Sequence, residues 1–339
     1  MSGRNENSLK REKWINKKLA QMPEFFTAWN NAMLASELTS ATRKEYMSKM
    51  FRFCAYVTEN VKDLKPEDLT KLKVDTYLAS LSNISDSKGN ARHSSDSYKQ
   101  GVWYCLNNFF TFLVEYGYIK SNPINIKKKP KNNDLAKVQL RRQLLTEREF
   151  MLIINSVKTG AGSVKAKGRQ KRWVDRDLTI IYLFMSTGMR ETALSEIDLS
   201  DIDYANNNLT VVDKGDKMHE YYINTKTMDS LLRWLKFRAN FVEQKNIDTD
   251  ALFITYQGNR ITAKSLSNLV KKYTLDAVGK ELSPHKLRAG FCSIMYNKTN
   301  DIEEVRRMVG HSNISTTQRY IVTDNSERKK ASEIMDEFF

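Results

Sequence analysis

At 339 residues the chain exceeds what one hydrophobic core usually serves, so two domains are expected. Its 40% hydrophobic and 28% charged residues are an ordinary globular composition; no apolar run is long enough for a bilayer and the polar start "MSGRNENSLKREKW" lacks a signal-peptide core, so neither a membrane protein nor a secreted one is expected, and the compartment is read as cytoplasmic. The net charge of +15, shared by both halves, and a pI of about 9.5 favour a polyanionic partner, most often nucleic acid.

Residues 1–21 read as a mobile basic tail. Residues 22–120 then carry helical patterning. In "SELTSATRKEYMSKMFRFCAYVTEN", Tyr46, Met50, Phe53 and Val57 recur at three- and four-residue intervals, with Thr39 or Ser40 as the cap. "KPEDLTKLKVDTYLASL" places Pro66 in a first turn and Leu69, Leu72, Tyr77 and Leu81 roughly on one face. "SDSKGNARHSSDS" is a polar loop, and "YKQGVWYCLNNFFTFLVEYGYI" a strongly apolar helix that Gly117 ends. Residues 121–144, with "SNPINIKKKPKNND", read as an extended basic linker.

A second domain, residues 145–339, opens at "LLTEREFMLII", where Thr146 and Glu149 form a capping box ahead of Phe150 and Ile153. "TGAGSVKAKGRQKR" reads as a glycine-rich basic loop whose Lys165, Lys167, Arg169, Lys171 and Arg172 are solvated or on phosphate. "DLTIIYLFMSTG" is apolar nearly all round, hence a buried helix that Gly188 breaks. After Asp203 the period changes, and β-branched and aromatic residues flank Lys214-Gly215-Asp216 as in a hairpin. The last element is an amphipathic helix over about 325–339. Asp324 and Glu327 cap it, and Ala331, Ile334, Met335, Phe338 and Phe339 form its stripe. Cys54, Cys105 and Cys292 read as reduced core residues, not a disulfide framework or a metal site. There is no βαβ alternation, so the fold is mainly α.

A tyrosine that attacks a phosphodiester must lose a proton with a pKa near ~10. The phosphate oxygens gain charge, which suits planar guanidinium forks, and the leaving alkoxide needs an acid. The sequence offers such groups, each at a structurally awkward place. Arg190 follows a glycine break in "STGMRETALSEI". Lys214 tips the hairpin. "LSPHKLRAGF" sets His285 and Arg288 three apart, on one helix face. His311 follows Gly310, and Tyr320 ends "TTQRY". Singly, each has a structural alternative: a packed helix tyrosine, a helix-capping arginine, a solvated turn lysine, a satisfied core histidine.

"TGMRETALSEI", "DKGDK", "PHKLR", "VGHS" and "TTQRY", in this order, resemble the Arg, Lys, His-x-x-Arg, His and Tyr boxes of the tyrosine recombinase (phage integrase, Xer-like) family. The resemblance covers residues 146–322 well and 22–120 more loosely. It implies a helical, SAM-like core-binding domain and an α-rich catalytic domain with a small antiparallel sheet, closing on DNA as a C-shaped clamp. It further implies Tyr320 as nucleophile, Arg190 and Arg288 on the scissile phosphate, Lys214 as acid to the 5′-oxygen, and His285 and His311 positioning the phosphate and assisting proton transfer. No cofactor, ATP or metal is implied. Arg43, Lys44, Lys127, Lys128, Lys129, Lys131 and Lys217 are expected DNA contacts. Two positions depart from the family pattern: Ala193 stands where an acid is usual, and His219 where many relatives carry arginine. His93 and His219 are read as non-catalytic.

The function expected from this resemblance is site-specific recombination through a 3′-phosphotyrosine and a Holliday junction, serving a mobile element or plasmid. The partners are double-stranded DNA, further copies of the chain in a tetramer that exchanges its C-terminal helices, and accessory DNA-bending factors, in the cytoplasm at the nucleoid. Xer-like chromosome or plasmid dimer resolution, type IB topoisomerase-like relaxation and a non-catalytic DNA-binding relative are the alternatives.

Overall fold

A computed structural model describes residues 3–82, 84–85, 91–92, 94–124, 144–213, 217–311 and 313–318. The fold is mainly α with a small antiparallel sheet, as expected, and it divides into two compact units. One is Arg4–Ala136; the other is Lys137–Phe339 with Met1–Gly3. Among the described residues no helix is long and apolar enough to cross a membrane.

The first unit holds α1 (Gly3–Leu19), α2 (Glu24–Ala35), α3 (Ser40–Val57), α4 (Lys71–Ser80) and α5 (Asp96–Glu115), with a two-residue pair β1 (Ile84–Ser85) and β2 (Ala91–Arg92) between the last two. Its core is aromatic. Phe26 and Phe109 stack at 4.9 Å, Trp29 meets Phe109 edge-on at 5.0 Å, and the Trp29 indole N–H donates to Asn108 Oδ1 at 3.0 Å, so the buried ring keeps its polar partner. Thr39 caps α3, accepting from the Thr42 N–H, and Met50 and Phe53 are fully buried. Gly117, at φ +75°, ends α5: the Tyr118 N–H donates to the Leu113 carbonyl and the Gly117 N–H to that of Val114.

Two expectations are corrected here. Residues 3–19 are a helix, not a tail, and Ile15 on it is fully buried. The segment from Pro66 is not one helix either. Pro66–Asp68 form a 3-10 turn, Thr70 caps a new helix through the Lys73 N–H, and the restart shifts the phase. Val74 therefore points inward while Leu72 is 73% exposed.

The second unit contains α6 (Glu147–Thr159), α7 (Val164–Lys171), α8 (Val174–Thr187), α9 (Glu191–Glu196), β3 (Ile202–Asp203), β4 (Asn208–Asp213), β5 (Lys217–Tyr222), α10 (Thr225–Gln244), α11 (Ala263–Val278), α12 (Pro284–Thr299), α13 (Ile302–Val309) and α14 (Ile314–Gln318). The capping box is formed: the Glu149 N–H donates to Thr146 Oγ1 at 3.2 Å and the Thr146 N–H to Glu149 Oε2 at 2.9 Å. α8 is the central helix, with Ile180, Ile181, Leu183 and Phe184 fully buried. The strands pair antiparallel in the order β3-β4-β5, with Val211 opposite His219 and Leu209 opposite Tyr221. The glycine-rich segment after Thr159 is not all loop. Gly160 and Gly162 take positive φ, then Ser163 caps α7 through the Ala166 N–H. α7 leaves Lys165, Lys167, Arg169 and Lys171 exposed. All three cysteines are buried and reduced, and burial pushes the Cys54 thiol up to about 12 and that of Cys292 to about 11.

Candidate active site

Arg288 organises the site. Pro284 starts α12, and one turn on Arg288 points inward, where it is 1% exposed. Its Nη1 donates to the Gly188 carbonyl at 2.6 Å and its Nη2 to the Val309 carbonyl at 2.7 Å. Those carbonyls end α8 and α13, so the guanidinium lies between two helix C-termini, where the backbone dipoles favour a cation. Burial first, then the like charge of Arg190, hold its pKa below the ordinary guanidinium value. It stays protonated at neutral pH. Arg288 Nε is buried without a hydrogen bond of good geometry among the described residues, and the Tyr221 side chain beside it favours the charged form.

The turns that feed this cation require glycine. Gly188 ends α8 at φ +62°, and a Cβ there would lie 2.7 Å from the Phe291 ring. Two residues later Arg190 occupies the N-cap position of α9, half-buried. Gly310 ends α13 at φ +66°. The Gly310 N–H donates to the Arg307 carbonyl and the His311 N–H to the Arg306 carbonyl, the pattern of a Schellman turn. His311 is thereby fixed as the first residue past the turn.

His311 is 4% exposed, and its Nδ1 lies 2.9 Å from Thr317 Oγ1 on α14. Burial, then Arg288, Arg190, His285 and Arg306, push its pKa down to about 3. An unfolded histidine takes up its proton near ~6.5. Between there and about 3 the unfolded chain binds a proton that the folded one does not, so this residue costs the fold stability as the pH falls through that window. His285 stands one turn before Arg288 at the exposed edge of the site. Desolvation, then Arg288, Arg190 and Lys286, lower its pKa as well. The site thus brings two arginines and two imidazoles, held toward their neutral form, into one electrostatic neighbourhood.

The structure brings Arg190, His285, Arg288 and His311 together. Lys214 and Tyr320 lie outside the described residues, as do Lys127, Lys128, Lys129, Lys131, His93 and the helix expected over 325–339. Lys217 begins β5. Lys44 is half-buried, with Nζ 5.3 Å from the Trp14 ring. Arg43 is a correction: it is 2% exposed, pairs with Glu12, and donates from Nη1 to Asn30 Oδ1 at 3.0 Å and from Nε to the Leu38 carbonyl at 3.2 Å. It is an internal tie of the first unit, with its donors committed there. Ala193 is buried, and its methyl group supplies no carboxylate.

Sequence reasoning missed the roles of Thr317 and His219. Thr317 is fully buried against His311. His219 reaches the Met308 carbonyl. Strand alternation carried a signal for His219, because it shares an inward face with Tyr221 while Met218, Glu220 and Tyr222 face out.

Residues 143–327, more than half of the chain, match the phage integrase family. The tyrosine recombinase XerC of Caldanaerobacter subterraneus is 34% identical over 231 residues, which cover 67% of this chain and 59% of that protein. The chain thus spans less than two thirds of that relative's length. XerC of Myxococcus xanthus is 27% identical over 283 residues, 82% of this chain and 86% of that one. Two solved structures share the fold. The XerH site-specific recombinase bound to difH substrate aligns with a TM-score of 0.61 and 18% identity over 86% of this chain and 78% of its own. A lambda integrase dimer bound to a COC′ core site aligns with a TM-score of 0.58 and 15% identity over 87% and 76%. The family match spans the segment in which Arg190, His285, Arg288 and His311 converge, and the chain belongs to the phage integrase family.

Proposed function

We propose that the chain is a site-specific DNA recombinase that cuts and rejoins double-stranded DNA through a 3′-phosphotyrosine and a Holliday junction, for integration, excision or resolution of a mobile element or plasmid. The convergence of Arg190, Arg288, His285 and His311 on one site carries this reading. In the proposed step the Tyr320 oxygen attacks the scissile phosphorus and the bond to the 5′-oxygen breaks. The phenolic proton passes to an imidazole, for which the neutral form of His285 is suited. The Lys214 ammonium gives a proton to the departing 5′-oxygen. The arginines hold the phosphate oxygens as charge builds. A 5′-hydroxyl then attacks the phosphotyrosine, restoring the phosphodiester and the phenol.

The acid step is tested with a 5′-bridging phosphorothiolate substrate. Thiolate leaves without protonation, so Lys214→Ala, slow on the oxygen substrate, recovers on sulfur. Equal defects on both substrates would remove Lys214 from the acid role.

DNA is proposed to meet both units and the segment between them through Lys44, Lys127, Lys128, Lys129, Lys131 and Lys217, as a clamp, with the protein resident at the nucleoid. Recombination is proposed to run in a tetramer that passes the 325–339 helix between protomers, with DNA-bending accessory factors. Deleting residues 331–339 then leaves single-site binding intact and abolishes cooperative binding and strand exchange. Normal cooperativity in the truncated protein refutes the exchange. The relatives named XerC favour a second reading, Xer-like dimer resolution, with the same chemistry at the same residues.

A further inference from the structure

We infer that His219, assigned no part in the chemistry above, is a positioning residue that ties β5 to the turn presenting His311. The inference rests on the role proposed for His311. His219 Nε2 lies 3.2 Å from the Met308 carbonyl. A carbonyl only accepts, so Nε2 carries the proton and donates. The ring has two close neighbours. Tyr221, buried on the same strand face, meets it edge-on at 4.4 Å. Gly310 lies so close that a Cβ there would stand 3.2 Å from His219 Nδ1.

The bond falls where α13 runs out of internal partners. The last carbonyls of a helix need donors from elsewhere. Here His219 takes Met308, Arg288 takes Val309, and Arg306 Nη1 donates to the His311 carbonyl at 2.6 Å. Arg288 and Arg306 come from helices; His219 brings the sheet. Its register is set by pairing with Val211 on β4. A shift of β5 by one residue would turn His219 to the outer face. The turn before His311 is therefore indexed to the sheet through one side chain.

The test uses the full chain and a suicide duplex built on a site that the protein selects from random DNA. His219→Leu keeps bulk and removes the donor; His219→Gln keeps an N–H. We expect His219→Leu to slow single-turnover cleavage about tenfold, the effect of one misplaced hydrogen bond. DNA affinity should stay within about twofold, and His219→Gln should recover most of the rate. In a His311→Ala background, His219→Leu should add nothing, because its effect passes through His311. A full further tenfold loss there overturns the inference, since His219 would then serve the fold at large; so does a near-normal rate for His219→Leu alone. Wild-type cleavage by His311→Ala would sink the role of His311 itself, and this inference with it. Nitrogen NMR of the unmodified protein checks the bond without any variant: a His219 ring protonated only at Nδ1 refutes it.

Discussion

Tyr320→Phe should yield no covalent protein–DNA adduct on a nicked suicide duplex while binding that duplex almost as the parent does. The change removes one oxygen and leaves the ring. Loss of a covalent nucleophile costs catalysis on the order of 10⁶-fold where it has been dissected, so the adduct should vanish from any practical assay. Affinity should hold within about twofold, because phosphate contacts by Lys and Arg dominate binding to DNA. Other phenols on the same unit supply the control. Tyr204 and Tyr222 are exposed, at 54% and 69%, and Tyr222→Phe should form adduct at the parental rate. Persistent adduct in Tyr320→Phe, lost in one of these instead, would move the nucleophile.

What was legible in the sequence was what is local. The Thr146–Glu149 box, the Thr39 cap and the buried run in α8 depend on neighbours within a few turns, and each formed as the spacing indicated. The failures come from partners far along the chain. Read alone, "MSGRNENSLKREKW" is too polar to hold itself folded; as α1 it gains Ile15 in the core. That single misreading also produced the Arg43 error. Glu12 sits on α1, and once α1 is taken for a tail the internal partner of Arg43 is out of view. Leu72 failed for a subtler reason. A Thr70 cap and a Pro66 turn so close together reset the helical phase, and a periodicity count across both does not see the break.

The site was legible as residue types in order, not as geometry. Nothing near "PHKLR" says that Arg288 will bridge carbonyls 100 and 21 positions away. Gly188 and Gly310 are visible as glycines after apolar runs. That both turns end at one guanidinium emerges only when α8, α12 and α13 pack. His219 shows the same limit: a substitution of the usual arginine marked the position, but its partner is a backbone carbonyl 89 residues on, which no pattern of side chains can announce.

Replacing the arginines by lysine should separate chemistry from architecture. Lysine keeps the charge and loses the planar fork. In both Arg190→Lys and Arg288→Lys, single-turnover cleavage should fall by about 10²–10³, the range for removing one preorganised donor from a developing oxyanion. Their stabilities should differ. Arg190 is half-buried at a helix start, so Arg190→Lys should melt less far below the parent than Arg288→Lys does. Arg288 is 1% exposed and holds the ends of α8 and α13 together through two nitrogens of one plane. A single ammonium is poorly shaped to serve both carbonyls. Losing one such charged hydrogen bond costs about 1.5–3 kcal/mol. For a unit of this size each kcal/mol is worth about 2–4 °C of melting temperature. Arg288→Lys should therefore melt several degrees lower, and its cleavage defect should remain at temperatures where it is fully folded. Equal melting of the two variants would show that the Gly188 and Val309 contacts do not hold the site together. Near-parental cleavage by both would remove the phosphate clamp from the mechanism.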